Sequence, residues 1–172
     1  LSPYDNLIKE GAKSLGWDWR LLGALVYQES RFISNDQSWA GARGLMQLMP
    51  ATAQRFGAAN PDDPHQSIKA GVRFLKHLDD YWVKKVPDSV QRVKFVLASY
   101  NVGLTHIIDA RKLAIKYEQN PSDWNTVKEF LFKKSDPVYY KDPVVIAGYC
   151  KCEEPIRYVE EVLGRYEEYK IH

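Results

Sequence analysis

A glutamate in the first part of the chain occupies a position where an amphipathic helix would be expected to carry an apolar residue. When the stretch WRLLGALVYQESRF is read as a helix at about 100° per residue, one apolar stripe consists of Leu22, Leu25 and Val26. The next position on this stripe is Glu29. Burial disfavours the charged form of a carboxyl group, so the pattern predicts a raised pKa and a proton held at neutral pH. General-acid catalysis of glycosidic cleavage requires such a group.

Glu29 also has a structural interpretation. Amphipathic patterns often slip at helix ends, where a glutamate can pair with Arg31 or another cation. The side of the same helix that is predicted to face solvent carries Arg20, Ala24, Tyr27, Gln28 and Arg31. Helix geometry alone therefore leaves both interpretations open, and further residues must decide between them.

The stretch VLASYNVG repeats the pattern with a tyrosine. Its apolar stripe consists of Val93, Val96 and Leu97. The next position on this stripe is Tyr100. A core tyrosine with a hydrogen-bonded hydroxyl and a tyrosine that lines a wet groove both fit this position.

Two glycines in SWAGARGLMQLMPATAQRFG predict a tight turn. Gly41 and Gly44 stand three residues apart, directly before an apolar run. Glycine allows backbone conformations and close approaches that other residues exclude. The segment is therefore predicted to present its backbone to a ligand.

Other chemistries have little support. The four histidines show no spacing typical of metal ligands; they are His65, His77, His106 and His172. Cys150 and Cys152 are separated by one residue, a spacing that disfavours a mutual disulfide and is too small a motif for a metal site without nearby histidines. We interpret both cysteines as structurally incidental. No G-x-S-x-G or phosphate-binding glycine loop occurs, so the sequence predicts neither a metal nor a cofactor.

Composition limits the function classes. The 172 residues suffice for one domain with its own core. A net charge of +2, from 24 basic and 22 acidic residues, gives no reason to expect nucleic-acid binding. No apolar run approaches the roughly 20 residues of a membrane span. The chain opens directly in a helical pattern without a signal peptide, so we expect it to have been cut from a longer precursor.

The elements that position these residues are predicted to be mostly helical. Proline, glycine and capping residues divide the chain into helical segments, with no alternation long enough for a central sheet. The segments cover approximately residues 3–15, 19–31, 50–56, 64–82, 90–100, 105–118, 122–132 and 155 to near the C-terminus. Asp18, Asp88 and Ser122 are the predicted N-caps, and Gly57 is the predicted end of the third segment. Residues 137–143 are predicted to be irregular.

Four motifs together resemble a known family. YQESRF, GARGLMQLMPATA, ASYNVG and EPIRYV occur in the order and spacing of the soluble lytic transglycosylases, whose catalytic domain is similar to goose-type lysozyme. HIIDARKL, NPSDW and YYKDPVVIAGY resemble the membrane-bound lytic transglycosylase F branch. The resemblance implies a multi-helix lysozyme-like domain with a glycan-binding groove. It also implies an upstream solute-binding-like regulatory domain and a place in the bacterial periplasm, associated with the outer membrane.

The resemblance implies roles for residues in the first half of the chain. Glu29 would be the only catalytic carboxylate, and Ser30 would support the local geometry. Gly44, Met46 and Gln47 match the GLMQ stretch of the family. The methionine and the glutamine of that stretch would line the glycan groove.

Residues in the second half receive roles in the same way. Tyr100 would lie near the reacting sugar, and Asn101 would hold groove or backbone geometry. Glu154 and Tyr158 would lie beside the cleft. Many family members carry threonine where this chain has Pro155.

The implied reaction is cleavage of peptidoglycan between N-acetylmuramic acid and N-acetylglucosamine without water, leaving a 1,6-anhydro end. Glu29 would act first as acid and then as base. A muramidase or chitinase that uses water and a glycan-binding module without turnover are the alternatives. A hydrolase ordinarily needs a second carboxylate. The best candidate in the pattern is Asp79, for which a solvated helix-end position is the favoured interpretation.

Overall fold

The computed structural model of the chain describes all 172 residues and confirms the mostly helical prediction. Its helices are α1 (Asp5–Leu15), α2 (Trp19–Ser30), α3 (Pro50–Phe56), α4 (Pro64–Trp82), α5 (Ser89–Val102), α6 (Leu104–Lys116), α7 (Trp124–Lys133), α8 (Pro137–Tyr140) and α9 (Glu153–Ile171). The only β-type pairings are two isolated antiparallel bridges, Gln37 with Arg43 and Arg43 with Leu48. None of the nine helices combines the length and the apolar character needed to cross a bilayer.

Local capping signals explain where several helices begin and end. The Asp18 side chain accepts a hydrogen bond from the backbone N–H of Arg20, and the Asp88 side chain accepts from those of Val90 and Gln91. Both interactions satisfy amide groups that a helix start leaves without a partner. Gly57 ends α3 with a left-handed backbone, φ 93°. These three predicted boundaries are confirmed.

The predicted start of α7 is wrong by one residue. Asp123 is the N-cap, and its side chain accepts from the backbone N–H of Thr126. The Ser122 hydroxyl donates instead to the Lys85 carbonyl at 2.8 Å. Lys85 lies 37 residues earlier in the chain. The residues around Ser122 therefore contain no sign that its hydroxyl is engaged elsewhere.

The stretch predicted to be irregular contains a short helix. Asp136 caps α8 by accepting from the backbone N–H of Val138. Pro137 occupies the first helical position, where its missing N–H leaves no partner unsatisfied. The proline that suggested irregular backbone thus begins a helical turn.

The prediction for the two cysteines is also wrong, because Cys150 and Cys152 form a disulfide. Their Cα atoms lie 5.2 Å apart. This separation falls within the range of about 4.4–6.8 Å that disulfides adopt. The backbone between them is folded enough to bring the two sulfurs together.

Two groups of residues form compact units, Leu1–His77 with Glu161–His172, and Leu78–Glu160. In the first unit, α2 is the most buried helix and packs against α1. Its buried residues are Leu21, Leu22, Gly23, Ala24, Leu25, Val26 and Ser30. The prediction that Ala24 faces solvent is wrong, since its exposure is 0 %. Six consecutive buried residues, 21–26, cover the whole circumference of the helix, so an acid on its apolar stripe is a weaker signal than it would be in an amphipathic helix.

The second unit is organised around aromatic side chains. The ring centroids of Trp82 and Phe95 lie 5.2 Å apart, and those of Phe95 and Trp124 lie 5.6 Å apart. Trp82 Nε1 donates a hydrogen bond to Ser99 Oγ at 3.0 Å. The indole N–H and the serine hydroxyl thereby satisfy each other inside the core.

Candidate active site

Glu29 lies in the last turn of α2 and is half-buried. The next residue, Ser30, is buried and donates a hydrogen bond from Oγ to the Val26 carbonyl at 3.1 Å. Arg31 and Phe32 follow with left-handed backbones, φ 51° and 62°. Two successive non-glycine residues in this region cost on the order of 1–3 kcal/mol each. Such strain persists only where the surroundings impose it, and it is frequent at functional sites.

Contacts between α2 and α9 hold this strained helix end. The Arg31 N–H donates to the Tyr27 carbonyl at 2.8 Å, which closes the helix. The Arg165 guanidinium carbon lies 3.9 Å from the centroid of the Tyr27 ring. Gln28 Nε2 donates to Glu161 Oε2 at 2.5 Å. The sequence reasoning missed Glu161 and Arg165, which lie more than 130 residues after their partners and carry no local signal.

The glycine turn is explained by packing within the same unit. Gly44 is buried with φ 83°, and a Cβ added there would overlap the carbonyl oxygen of Pro61. Its N–H donates to the Asp36 carbonyl at 2.9 Å. Gly41 has φ 98° with nothing near its missing Cβ, and it lines an open cavity of about 560 Å³. The close backbone approach at Gly44 is thus made to Pro61.

The residues after Gly44 differ in exposure. Met46, expected in the wall of a groove, has 0 % exposed surface because its side chain packs against Gly71 of α4. Its backbone N–H donates to Ser67 Oγ at 3.1 Å. Gln47 is half-buried with φ 48°, and its Nε2 donates to the carbonyls of Asp36 and Gly44, both at 3.0 Å. The Gln47 side chain therefore stabilises the turn in which it lies.

Tyr100 and Asn101 lie at the end of α5 in the second unit, and both are half-buried. Gly103 follows with φ 102°, and its N–H donates to the Ser99 carbonyl at 3.0 Å. Partial burial of Tyr100 is compatible with both the core interpretation and the groove interpretation.

The remaining predicted site residues lie on α9. Glu154 is exposed in its first turn, and Tyr158 is buried with 5 % exposure. Asp79, the candidate second carboxylate, accepts a hydrogen bond from Arg92 Nε at 2.8 Å. Arg92 also donates to the Val86 carbonyl at 3.0 Å. This ion pair connects the last part of α4 to α5, so Asp79 has a structural role.

One carboxyl group of the first unit has a strongly shifted pKa. The Arg20 guanidinium, which donates to Asp18 Oδ1 and Oδ2 at 3.0 and 2.7 Å, lowers the pKa of Asp18 to about 2. The Tyr166 hydroxyl donates to the same carboxylate at 3.2 Å. The cap at the start of α2 is therefore ionised throughout the physiological pH range.

Comparison with known proteins identifies the family and the fold of the chain. The family model described as "Transglycosylase SLT domain" matches residues 6–125. The chain is 43 % identical over 167 residues to membrane-bound lytic murein transglycosylase F of Shewanella halifaxensis, covering 97 % of this chain and 34 % of the relative. It is 40 % identical over 165 residues to the protein of the same name from Maricaulis maris, covering 94 % and 35 %. The chain thus spans about a third of the length of these relatives.

Two solved structures share the fold. An inactive mutant of lytic transglycosylase Slt from Pseudomonas aeruginosa aligns with a TM-score of 0.71 at 21 % identity, over 97 % of this chain and 24 % of that one. The 70 kDa soluble lytic transglycosylase of Escherichia coli aligns with a TM-score of 0.67 at 22 % identity, over 98 % and 24 %. The arrangement of helices is therefore the one found in these enzymes.

Proposed function

The chain belongs to the transglycosylase SLT domain family, and on this premise we propose that it cleaves peptidoglycan glycan strands without water, leaving 1,6-anhydro-N-acetylmuramic acid ends. The observation that carries the proposal is Glu29, a half-buried carboxyl group at a strained helix end within the matched range. The names of the similar proteins support the same activity. The chain is accordingly proposed to be a lyase that acts on a polysaccharide.

Glu29 is the proposed acid. Its carboxyl group protonates the oxygen that bridges N-acetylmuramic acid and N-acetylglucosamine while positive charge develops at the anomeric carbon. The bond between that carbon and the bridging oxygen breaks, and N-acetylglucosamine leaves with the proton.

The second step returns the proton. The muramyl C6 hydroxyl attacks the anomeric carbon, and the Glu29 carboxylate takes the hydroxyl proton as the 1,6-anhydro ring closes. This hydroxyl is tethered to the reacting sugar, so its effective concentration exceeds that of water. No second carboxylate is needed, which agrees with the engagement of Asp79 by Arg92.

The other site residues have supporting roles in this proposal. Tyr100 and Asn101 contact the glycan, as the ASYNVG motif implies, and Glu154 presents an exposed carboxylate for a polar contact with it. Ser30 and Gln47 fix the backbone around Glu29 and the glycine turn through their hydrogen bonds. The buried residues Gly44, Met46 and Tyr158 contribute by packing.

We further propose that the chain works as the catalytic part of a longer envelope protein. Its relatives are about three times as long and are named membrane-bound. The additional length leaves room for an anchor and a regulatory domain. A periplasmic location follows from the proposed substrate, and association with the outer membrane is implied by the family resemblance. Fractionation of cells that express the full-length gene product tests both.

Product analysis tests the reaction. Purified sacculi are digested in ¹⁸O-water, and the fragments are analysed by mass spectrometry. We expect unlabelled 1,6-anhydro ends because no water is added; they are about 18 Da lighter than ordinary hydrolytic ends and about 20 Da lighter than ¹⁸O-labelled ones. Heavy oxygen at new reducing ends would identify a hydrolase and overturn the proposal. If the protein binds the sacculi but leaves them undigested, it is a binding module.

A further inference from the structure

A second cluster of reactive side chains lies in the unit formed by Leu78–Glu160. One ring nitrogen of His106 and the sulfurs of Cys150 and Cys152 all lie within 4.8 Å of one another. Both cysteines are buried, and the histidine is half-buried. Sequence spacing alone offers no histidine to this cysteine pair, because His106 precedes it by more than 40 residues.

We propose that reduction of the disulfide converts His106, Cys150 and Cys152 into a site for a divalent transition metal, with Zn²⁺ as the preferred ion. A dithiol reductant supplies two electrons and two protons, and it leaves as its own disulfide while the protein gains two thiols. The metal then displaces the two thiol protons and binds two thiolates and one imidazole nitrogen. Two thiolates balance the charge of the ion, and sulfur with imidazole is a donor set that zinc favours.

The spacing of the three donor atoms suits this ion. Zinc bonds of about 2.3 Å to sulfur and about 2.0 Å to nitrogen place tetrahedral ligand atoms about 3.5–3.8 Å apart. The three atoms already lie inside 4.8 Å, so small side-chain rotations after reduction suffice. The fourth tetrahedral position is left for water.

A buried ion pair orients the histidine. Lys134 Nζ lies 2.7 Å from His106 Nδ1 and 2.8 Å from Asp109 Oδ2, and neither Lys134 nor Asp109 has exposed surface. These contacts fix the orientation of the His106 ring, as the hydrogen-bond partners of metal-binding histidines do.

The same ion pair positions the segment that carries the cysteines. Asp109 accepts hydrogen bonds from the backbone N–H groups of Ile146 and Ala147, each at 2.8 Å. The Cys150 N–H donates to the Lys134 carbonyl at 3.2 Å. These bonds do not involve the sulfur atoms, so they persist when the disulfide is reduced and keep the ligands near each other.

The disulfide itself contributes little to folding. It closes a loop of only three residues, so it removes little conformational entropy from the unfolded chain. The protein can therefore lose this bond and remain folded. That is the condition under which the sulfurs become available to a metal.

Metal titration of the reduced and oxidised protein tests the proposal. The chain is reduced under argon, freed of reductant and titrated with Co²⁺. Zn²⁺ is then added, and its affinity is measured by competition with a chromophoric chelator. We expect one metal per reduced chain, with sulfur-to-cobalt charge-transfer absorption that disappears when zinc displaces cobalt. The oxidised chain, which differs only in the disulfide, should not bind. Equal binding by both forms would overturn the proposal.

Substitutions assign the ligands. C150S/C152S should abolish the charge-transfer absorption. His106→Gln should weaken zinc affinity by at least about 10- to 100-fold. This is the loss measured when a residue that orients a metal ligand is removed, and removal of the ligand itself should cost at least as much. His65→Gln, at an exposed histidine of the other unit, is the matched control and should leave affinity unchanged. A stoichiometric site that survives the double substitution, or equal affinities of the two histidine variants, would refute the assignment. None of these measurements depends on glycan cleavage, so this proposal and the proposed function fail separately.

Discussion

The end of α2 and the Asp109–Lys134 pair bury carboxyl groups in different ways. Asp109 has no exposed surface and accepts three hydrogen bonds of 2.8 Å, from Lys134 Nζ and two backbone N–H groups. Glu29 is half-buried beside two left-handed residues. A carboxylate enclosed by donors serves the fold and cannot reach a substrate. Burial of an acid therefore points to chemistry only where part of the acid stays accessible.

The largest expected effect comes from Asp109→Asn, which breaks the enclosed pair. The substitution leaves the Lys134 ammonium buried without its counter-charge, so the free energy of unfolding should fall by about 3–5 kcal/mol. Urea denaturation measures it. Asp136→Asn is the control, because asparagine caps a helix as well as aspartate does, and it should change stability by less than about 0.5 kcal/mol. A loss below about 1 kcal/mol for Asp109→Asn would contradict the structural role of the pair.

Glu29→Gln should produce the opposite pattern. The amide keeps the shape of the side chain and removes the transferable proton, so glycan cleavage should fall by at least about 100-fold while the melting temperature changes little. Release of soluble fragments from sacculi measures activity, and calorimetry measures stability. Glu10→Gln, at an exposed position of α1, is the control and should retain activity. A folded, active Glu29→Gln protein would remove Glu29 from the mechanism.

Gly44→Ala tests the close backbone approach between the glycine turn and Pro61. Its φ of 83° and the overlap of an added Cβ with the Pro61 carbonyl should together destabilise the protein by about 2 kcal/mol or more. Gly41→Ala has a φ of 98° but no such overlap, so it should lose only about 1–2 kcal/mol, the backbone contribution alone. Thermal melting of both variants measures the difference. Equal losses would mean that Pro61 yields to the new methyl group.

The smallest effect is expected at Asp18, a partly exposed carboxylate paired with Arg20. Its pKa is lowered from 3.8 to about 2 in the folded protein, so its contribution is fully present above pH 4 and is lost as pH falls through 2. Asp18→Asn keeps the cap but lacks the charge. The stability difference between wild type and variant should therefore shrink from pH 4 to pH 2, as measured by melting temperature. A difference that stays constant over this interval would contradict the ion pair.

Much of the helical framework was predictable because the signals are local. Asp18 and Asp88 cap their helices through amides two or three residues ahead, and Gly57 ends α3 through its own backbone. These interactions depend on neighbours in the sequence, so the sequence carries them. Four motifs in register likewise predicted the family that the comparisons identify. The roles of the individual site residues remain predictions.

Other features were decided by partners far along the chain. The Ser122 hydroxyl donates to the Lys85 carbonyl instead of capping α7, and the Met46 side chain is buried against Gly71. Packing also enclosed Ala24, which the helical period had assigned to solvent. Each outcome depends on which surfaces meet after the helices form. Periodicity within one segment contains no information about that choice.

The cysteine pair shows both levels at once. The amino-acid sequence shows that two cysteines are separated by one residue and that the helices around them have recognisable ends. The folded chain adds that this stretch is bent tightly enough for a disulfide and that His106 lies beside it. The difference lies in how far apart the interacting residues are in the sequence. Caps and turns are satisfied within a few residues, whereas burial, strain and ligand geometry arise when distant segments compete for the same space.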